Sequence, residues 1–164
     1  MHMHRMIEQR VIQLGKELKK IRLSLVTAES CTGGGLSYFI ARNEKCSSFL
    51  ERGFITYSNK AKEELLEVKP YTLQTYGAVS KETAQEMAEG ALKNSKAQIG
   101  VALTGIAGPD TTPSNQSEGI LWIGLTGIEK KTQAQVKKIS GNRKRFCYQA
   151  IATTLEEIIH FIKN

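Results

Sequence analysis

The sequence predicts an α/β protein: a single three-layer α/β/α domain over residues 1–164, built on a mixed, mostly parallel five-stranded sheet. Three observations predict it. Apolar, β-rich runs alternate with amphipathic helical stretches through the first two thirds of the chain. Two strands close together near the end read as a hairpin. No linker, repeat or low-complexity block interrupts the 164 residues, a length that suits one domain.

Ile7, Val11, Ile12, Leu14 and Leu18 recur at near-helical spacing and make residues 5–20 a helix. "RLSLVTA" (22–28) alternates and is β-rich, so it is read as a buried strand. "CTGGGLSYFIAR" follows as a helix whose first turn holds the glycines, with Thr32 as N-cap. "GFITYS" (53–58) is the second strand, and "NKAKEELLEV" the next helix, capped by Ser58 or Asn59. Ser80 opens a further helix with a cap-x-x-Thr pattern. "AQIGVALTG" (97–105) is the third strand and runs into the Gly-rich turn "TGIAGPDTTPSNQSEG". "ILWIGLTG" (120–127) and "TQAQVKKIS" (132–140) form the hairpin, the second strand at an edge where lysines discourage aggregation. A closing helix spans about 142–162.

Composition narrows the function classes. Hydrophobic residues at 40% and charged residues at 24% describe an ordinary globular protein. No apolar run approaches the roughly 20 residues that cross a bilayer, and the N-terminus lacks a signal-peptide core. A cytoplasmic protein without a membrane partner is expected. Cys31, Cys46 and Cys147 are odd in number and show no CxxC spacing, which argues against a disulfide framework or structural zinc. His2, His4 and His160 all lie near the chain ends, where a catalytic or metal-binding histidine is hard to hold. Neither a Walker A sequence nor GxGxxG is present. No metal and no cofactor are expected. The net charge of +7 suits an anionic partner. Nucleic acid, a membrane surface or a phosphorylated metabolite would each fit, with a merely solubilising surface as the alternative; without interleaved aromatics, nucleic acid is the minority reading.

Ligands of open α/β sheets gather at the carboxyl ends of parallel strands. Three such ends are rich in polar groups: Glu29–Thr32, Thr56–Asn59, and Thr104 with Gly105 and Gly108. A strand-to-helix turn with a serine and glycines (Ser30, Gly33, Gly34) offers backbone amides to a phosphate or an oxyanion. Ser30 is a candidate nucleophile and Cys31 its rival, but neighbouring residues at a turn point in different directions, so only one can face a ligand. With histidine excluded, a partly dehydrated lysine is the candidate base, and both Lys60 and Lys62 follow the second strand end. Tyr57 either orients that lysine or packs in the core, and Arg143 is a candidate phosphate ligand.

"AESCTGGG", "FLERGFITYSNKAK", "YGAVSKETAQEMAEGAL", "TGIAGPD" and "GNR", in this order, make the chain resemble the CinA C-terminal domain family from about residue 5 onward. The resemblance implies an α/β/α fold, a tendency to form homo-oligomers, and a small-molecule nucleotide substrate. It also implies hydrolysis of the carboxamide of nicotinamide mononucleotide to nicotinic acid mononucleotide and ammonia. Position by position, it makes Ser30 the nucleophile, Lys62 its base and Tyr57 a third catalytic residue. Glu29, Thr32, Gly33, Gly34, Asn59, Thr104, Gly105, Gly108 and Arg143 become substrate-binding positions. Two stretches depart from the family pattern. Gln116, Ser117 and Glu118 stand where Lys, Pro and Val are usual, and Cys147 stands where a second arginine follows that of "GNR". A non-catalytic module that senses a nucleotide or presents a protein surface is the alternative reading.

Overall fold

The structure, a computed structural model, describes residues 2–108 and 118–164. The altered stretch from Gln116 to Ser117 therefore lies outside the described residues.

The sheet has the strand order β2-β1-β3-β4-β5. β1 (Leu25–Glu29) pairs in parallel with β2 (Leu50–Ile55) on one side and β3 (Ile99–Ile106) on the other. β4 (Ile120–Gly127) and β5 (Lys130–Lys138) add an antiparallel hairpin to β3. Four strands therefore run one way, and β4 alone opposes them.

The alternation of side chains along each strand sorts the core into two halves. Leu25, Val101, Leu103, Leu121, Ile123 and Leu125 face α1 (His2–Ile21), α2 (Gly35–Ala41) and α6 (Arg143–Lys163). Val26, Ala28 and Ala102 face α3 (Asn59–Leu66), α4 (Pro70–Tyr76) and α5 (Lys81–Lys93). The second half is lined by small residues, so its helices come close. A Cβ on Gly124 of β4 would lie 2.1 Å from the Ala84 carbonyl of α5. A Cβ on Gly90 of α5 would lie 1.8 Å from the Leu66 carbonyl at the end of α3. These two glycines fix the depth at which α5 and α3 sit on the sheet.

Several boundaries differ from the sequence reading. Only Gly35 belongs to the first turn of α2; Gly33 and Gly34 precede it with φ of 58° and 95°, and Gly34, not Thr32, is the N-cap. Thr32 turns its hydroxyl to Glu29 instead. β2 begins at Leu50, before the expected 53–58, because an exposed edge strand tolerates Glu51 and Arg52. α4 has no expected counterpart. Ser58, rather than Asn59, caps α3 and Ser80 caps α5, accepting from the amides of Ala61 and Thr83; Asn142, not expected as a cap, caps α6 by accepting from the Arg145 amide. No helix among the described residues is long and apolar enough to cross a membrane.

Candidate active site

The strand order brings the three polar strand ends side by side. β1 ends at Glu29, and its ladder runs one residue further: the Ser30 amide donates to the Leu103 carbonyl at 3.0 Å, and the Thr56 amide to the Glu29 carbonyl at 2.8 Å. Ser30 and Thr56 are thereby held on adjacent strands.

Lys62 enters from the first turns of α3. Its side chain is 1% exposed, and it is among the largest fully buried side chains of the chain. Its Nζ donates to the carbonyls of Thr56 (2.9 Å) and Tyr57 (3.2 Å) and lies 3.2 Å from Ser30 Oγ. Ser30 is itself 8% exposed. Lys60, two residues earlier on the same helix, points to solvent and pairs with Glu64 at 3.6 Å. The helix turn separates the two candidates, and Lys62 is the dehydrated one. Burial pulls its amine below the ordinary lysine value, an effect only partly opposed by the nearby Cys31 thiol.

The hydrogen-bond geometry has a chemical consequence. Carbonyls only accept, so two of the amine's hydrogens are committed to Thr56 and Tyr57. In the neutral amine the remaining direction, the lone pair, faces Ser30 Oγ. Such an amine can take the hydroxyl proton.

Cys31 faces the other way. It packs with the core on the α6 side, and its thiol is pushed up to about 12, chiefly by burial and then by the neighbouring Cys147 thiol. Cys147 donates from Sγ to the Cys31 carbonyl at 3.4 Å. A thiol held protonated in this way is a poor nucleophile.

The glycine turn behaves differently from its sequence expectation. The N-terminus of α2 does welcome an anion, but the anion is Glu29. Its fully buried carboxylate accepts from the amides of Leu36 (2.8 Å) and Ser37 (3.0 Å) and from the hydroxyls of Thr32 and Ser37, both at 2.6 Å. Glu29 and the Thr32 side chain are therefore consumed in holding the turn. What remains free are the amides of Thr32 and Gly34, which have no hydrogen-bond partner among the described residues. A Cβ at Gly33 would meet nothing within 4 Å, so the turn opens to solvent there.

Of the other expected positions, Thr104 is buried, and its hydroxyl donates to the Ala78 carbonyl at 2.7 Å. Gly105 and Gly108 permit close approach: a Cβ would lie 2.7 Å from the Ile120 carbonyl and 2.8 Å from the Arg143 amide, respectively. Gly108 thus seats the start of α6 beside β3. From that helix Arg143 reaches over the site and donates from Nη1 to the Tyr57 hydroxyl at 3.5 Å. Tyr57 is 63% exposed and serves Lys62 through its carbonyl, not its phenol. Asn59 is exposed in the first turn of α3. Sequence reasoning missed the two carbonyls that aim Lys62 and the α2 amides that occupy Glu29. The first follows once Ser30 and Thr56 are aligned in register; the second joins residues seven and eight apart across a turn and carries no local signal.

A buried serine–lysine pair beside open backbone amides, at the carboxyl ends of parallel strands, has the composition of a serine hydrolase centre that uses no histidine. The sequence profile of the CinA C-terminal domain matches residues 7–162, and the chain belongs to that family. It is 38% identical over 154 residues to the nicotinamide-nucleotide amidohydrolase PncC of Enterobacter agglomerans, covering 93% of this chain and 94% of the relative. The PncC of Escherichia coli K12 is 38% identical over 153 residues, covering 93% of each. A putative competence-damage inducible protein of Clostridium novyi is 41% identical over 143 residues, 87% of this chain but 34% of that longer protein. Among solved structures, the competence/damage inducible protein CihA of Agrobacterium tumefaciens superposes with a TM-score of 0.90 at 32% identity, covering 97% of this chain and 96% of its own. A CinA superfamily protein of E. coli gives 0.89 at 31% identity, over 94% and 90%.

Proposed function

We propose that the protein is an amidohydrolase that converts nicotinamide mononucleotide to nicotinic acid mononucleotide and ammonia, with Ser30 as nucleophile and Lys62 as general base. The observation that carries this reading is the 3.2 Å approach of Lys62 Nζ to Ser30 Oγ in a buried setting. The likeness to the PncC amidohydrolases over nearly the whole of both chains supports the substrate.

In the first half-reaction neutral Lys62 takes the Ser30 proton, and Oγ attacks the carboxamide carbon. The amides of Thr32 and Gly34 receive the oxygen charge that develops. The tetrahedral adduct collapses when the Lys62 ammonium gives its proton to the leaving nitrogen, which departs as ammonia and leaves an ester on Ser30. Water then attacks the ester carbon, Lys62 again takes and returns one proton, and the acid is released. Tyr57 fixes the amine through its carbonyl. The Arg143 guanidinium supplies positive charge for the substrate phosphate.

The test is ammonia release from nicotinamide mononucleotide by the purified protein, with nucleotide binding measured in parallel. Release at enzymic rates is the expected result. Tight binding without release would overturn the reading in favour of a non-catalytic nucleotide-binding module.

A further inference from the structure

The Lys62 amine has a single direction left for chemistry. It gives one hydrogen to the Thr56 carbonyl and one to the Tyr57 carbonyl, and its remaining position meets Ser30 Oγ. Among the described residues no carboxylate or imidazole bonds to either member of the pair. The Thr104 hydroxyl is committed to the Ala78 carbonyl, and the Glu29 carboxylate is enclosed by its own donors. The pair therefore has one base and no second group that holds a water molecule for it.

One lone pair in one place then serves both half-reactions. In the first, the amine passes a proton to the departing nitrogen. In the second, it takes a proton from the group that attacks the Ser30 ester. A general base lies within about 2.6–3.2 Å of the heavy atom whose proton it takes. The attacking atom thus stands where ammonia has just left, beside an amine that is fully buried and flanked by two carbonyls. Any neutral nucleophile that fits there can resolve the ester. What the burial of Lys62 restricts is size.

We propose that the protein has a second activity, acyl transfer from Ser30 to small neutral amines. Ammonia, hydroxylamine and hydrazine form the class of acceptor, and amines with bulky substituents are excluded. The inference rests on the serine–lysine reading above. Acylation is common to both activities: the Ser30 Oγ–carbon bond forms, the amide C–N bond breaks, and ammonia leaves with the proton that Lys62 took from Ser30. With hydroxylamine the second step forms a new C–N bond and breaks the bond from carbon to Oγ. One amine proton passes to Lys62 and from there to Oγ. A hydroxamate and free Ser30 result, and no electrons are exchanged with a further reagent. With ammonia the same step rebuilds the carboxamide, so labelled ammonia enters unreacted substrate.

The purified protein is given nicotinamide mononucleotide together with hydroxylamine, with O-benzylhydroxylamine, or with isotopically labelled ammonia at alkaline pH. Acid, hydroxamate and labelled carboxamide are read by mass spectrometry against mixtures without protein. O-Benzylhydroxylamine presents the same attacking nitrogen with a bulky group behind it. With hydroxylamine, hydroxamate is expected beside the acid, and the ratio of the two doubles when the hydroxylamine concentration doubles. With O-benzylhydroxylamine the transfer product is lost, and labelled ammonia appears in the recovered substrate. Ammonia release without hydroxamate at any hydroxylamine concentration overturns the proposal. Equal yields from the two hydroxylamines overturn the size limit drawn from the burial of Lys62. Ser30→Ala, shown to be folded by its thermal midpoint, separates the two levels. Ammonia release that survives it overturns the serine–lysine reading and transfer from Ser30 together, as does a protein that forms neither acid nor hydroxamate. Loss of release in Ser30→Ala, with no hydroxamate from the unaltered protein, overturns the transfer alone.

Discussion

Glu29 and Lys62 are both charged residues drawn out of water, and the turn between β1 and α2 depends on how each is compensated. Glu29 is compensated completely: two amides and two hydroxyls surround its carboxylate. Glu29→Gln replaces one acceptor oxygen with an NH2 that faces donors, and is expected to cost about 1–3 kcal/mol, read by urea denaturation; no loss would refute the capping role. Lys62 has no carboxylate partner, only the Thr56 and Tyr57 carbonyls and the Ser30 hydroxyl, so burial is free to favour the neutral amine. Cys31 completes the comparison, since its thiol lies against the core and is held protonated. Cys31→Ala is therefore expected to retain ammonia release, and its loss from a folded variant would return the thiol to candidacy as nucleophile. Adjacency in sequence put Ser30 and Cys31 on equal terms. The side of the strand on which each falls separates them.

At the level of elements, α3 delivers Lys62, and α5 sets where α3 can sit. Gly90 of α5 lies under the Leu66 carbonyl, where a Cβ would be 1.8 Å away. Gly90→Ala is expected to destabilise by about 1–3 kcal/mol or more through overpacking, measured by thermal unfolding. Ammonia release should fall with it as α3 is displaced; an unchanged midpoint would contradict the close approach. The elements that sequence reasoning placed well are those with a strong period or a capping residue. α1, β4, α5 and α6 fall within a few residues of expectation, Ser80 caps α5 as expected, and Ser58 is the cap of the two candidates offered for α3. The failures have physical causes. "PYTLQTY" shows no period of its own and is helical because Pro70 starts it and Thr72 and Leu73 are buried. Thr32 looks like a cap but is drawn away by Glu29, leaving Gly34 to start α2 in a left-handed conformation. Lys60 and Lys62 are equivalent as letters and differ only once the helix has a buried face.

For the whole molecule, the topology does the assembling. Placing β1 between β2 and β3, all parallel, gathers three strand ends that are far apart in sequence into one rim, and α6 closes over it with Arg143. The amine that drives the proposed reaction must be neutral to accept a proton, and burial lowers its pKa from the ordinary 10.5. The sign follows. Ammonia release should rise with pH as Lys62 loses its proton, and the midpoint of that rise should lie below the ordinary lysine value. A rise centred at that value would mean that the lysine is not dehydrated during turnover. The central claim is that the Ser30 hydroxyl, activated by Lys62, attacks the carboxamide, and the most direct measurement of it is kcat for ammonia release by Ser30→Ala beside the unaltered protein. A fall of about a thousandfold or more, with the nucleotide still bound, is predicted. Release at a comparable rate from the folded variant would contradict it.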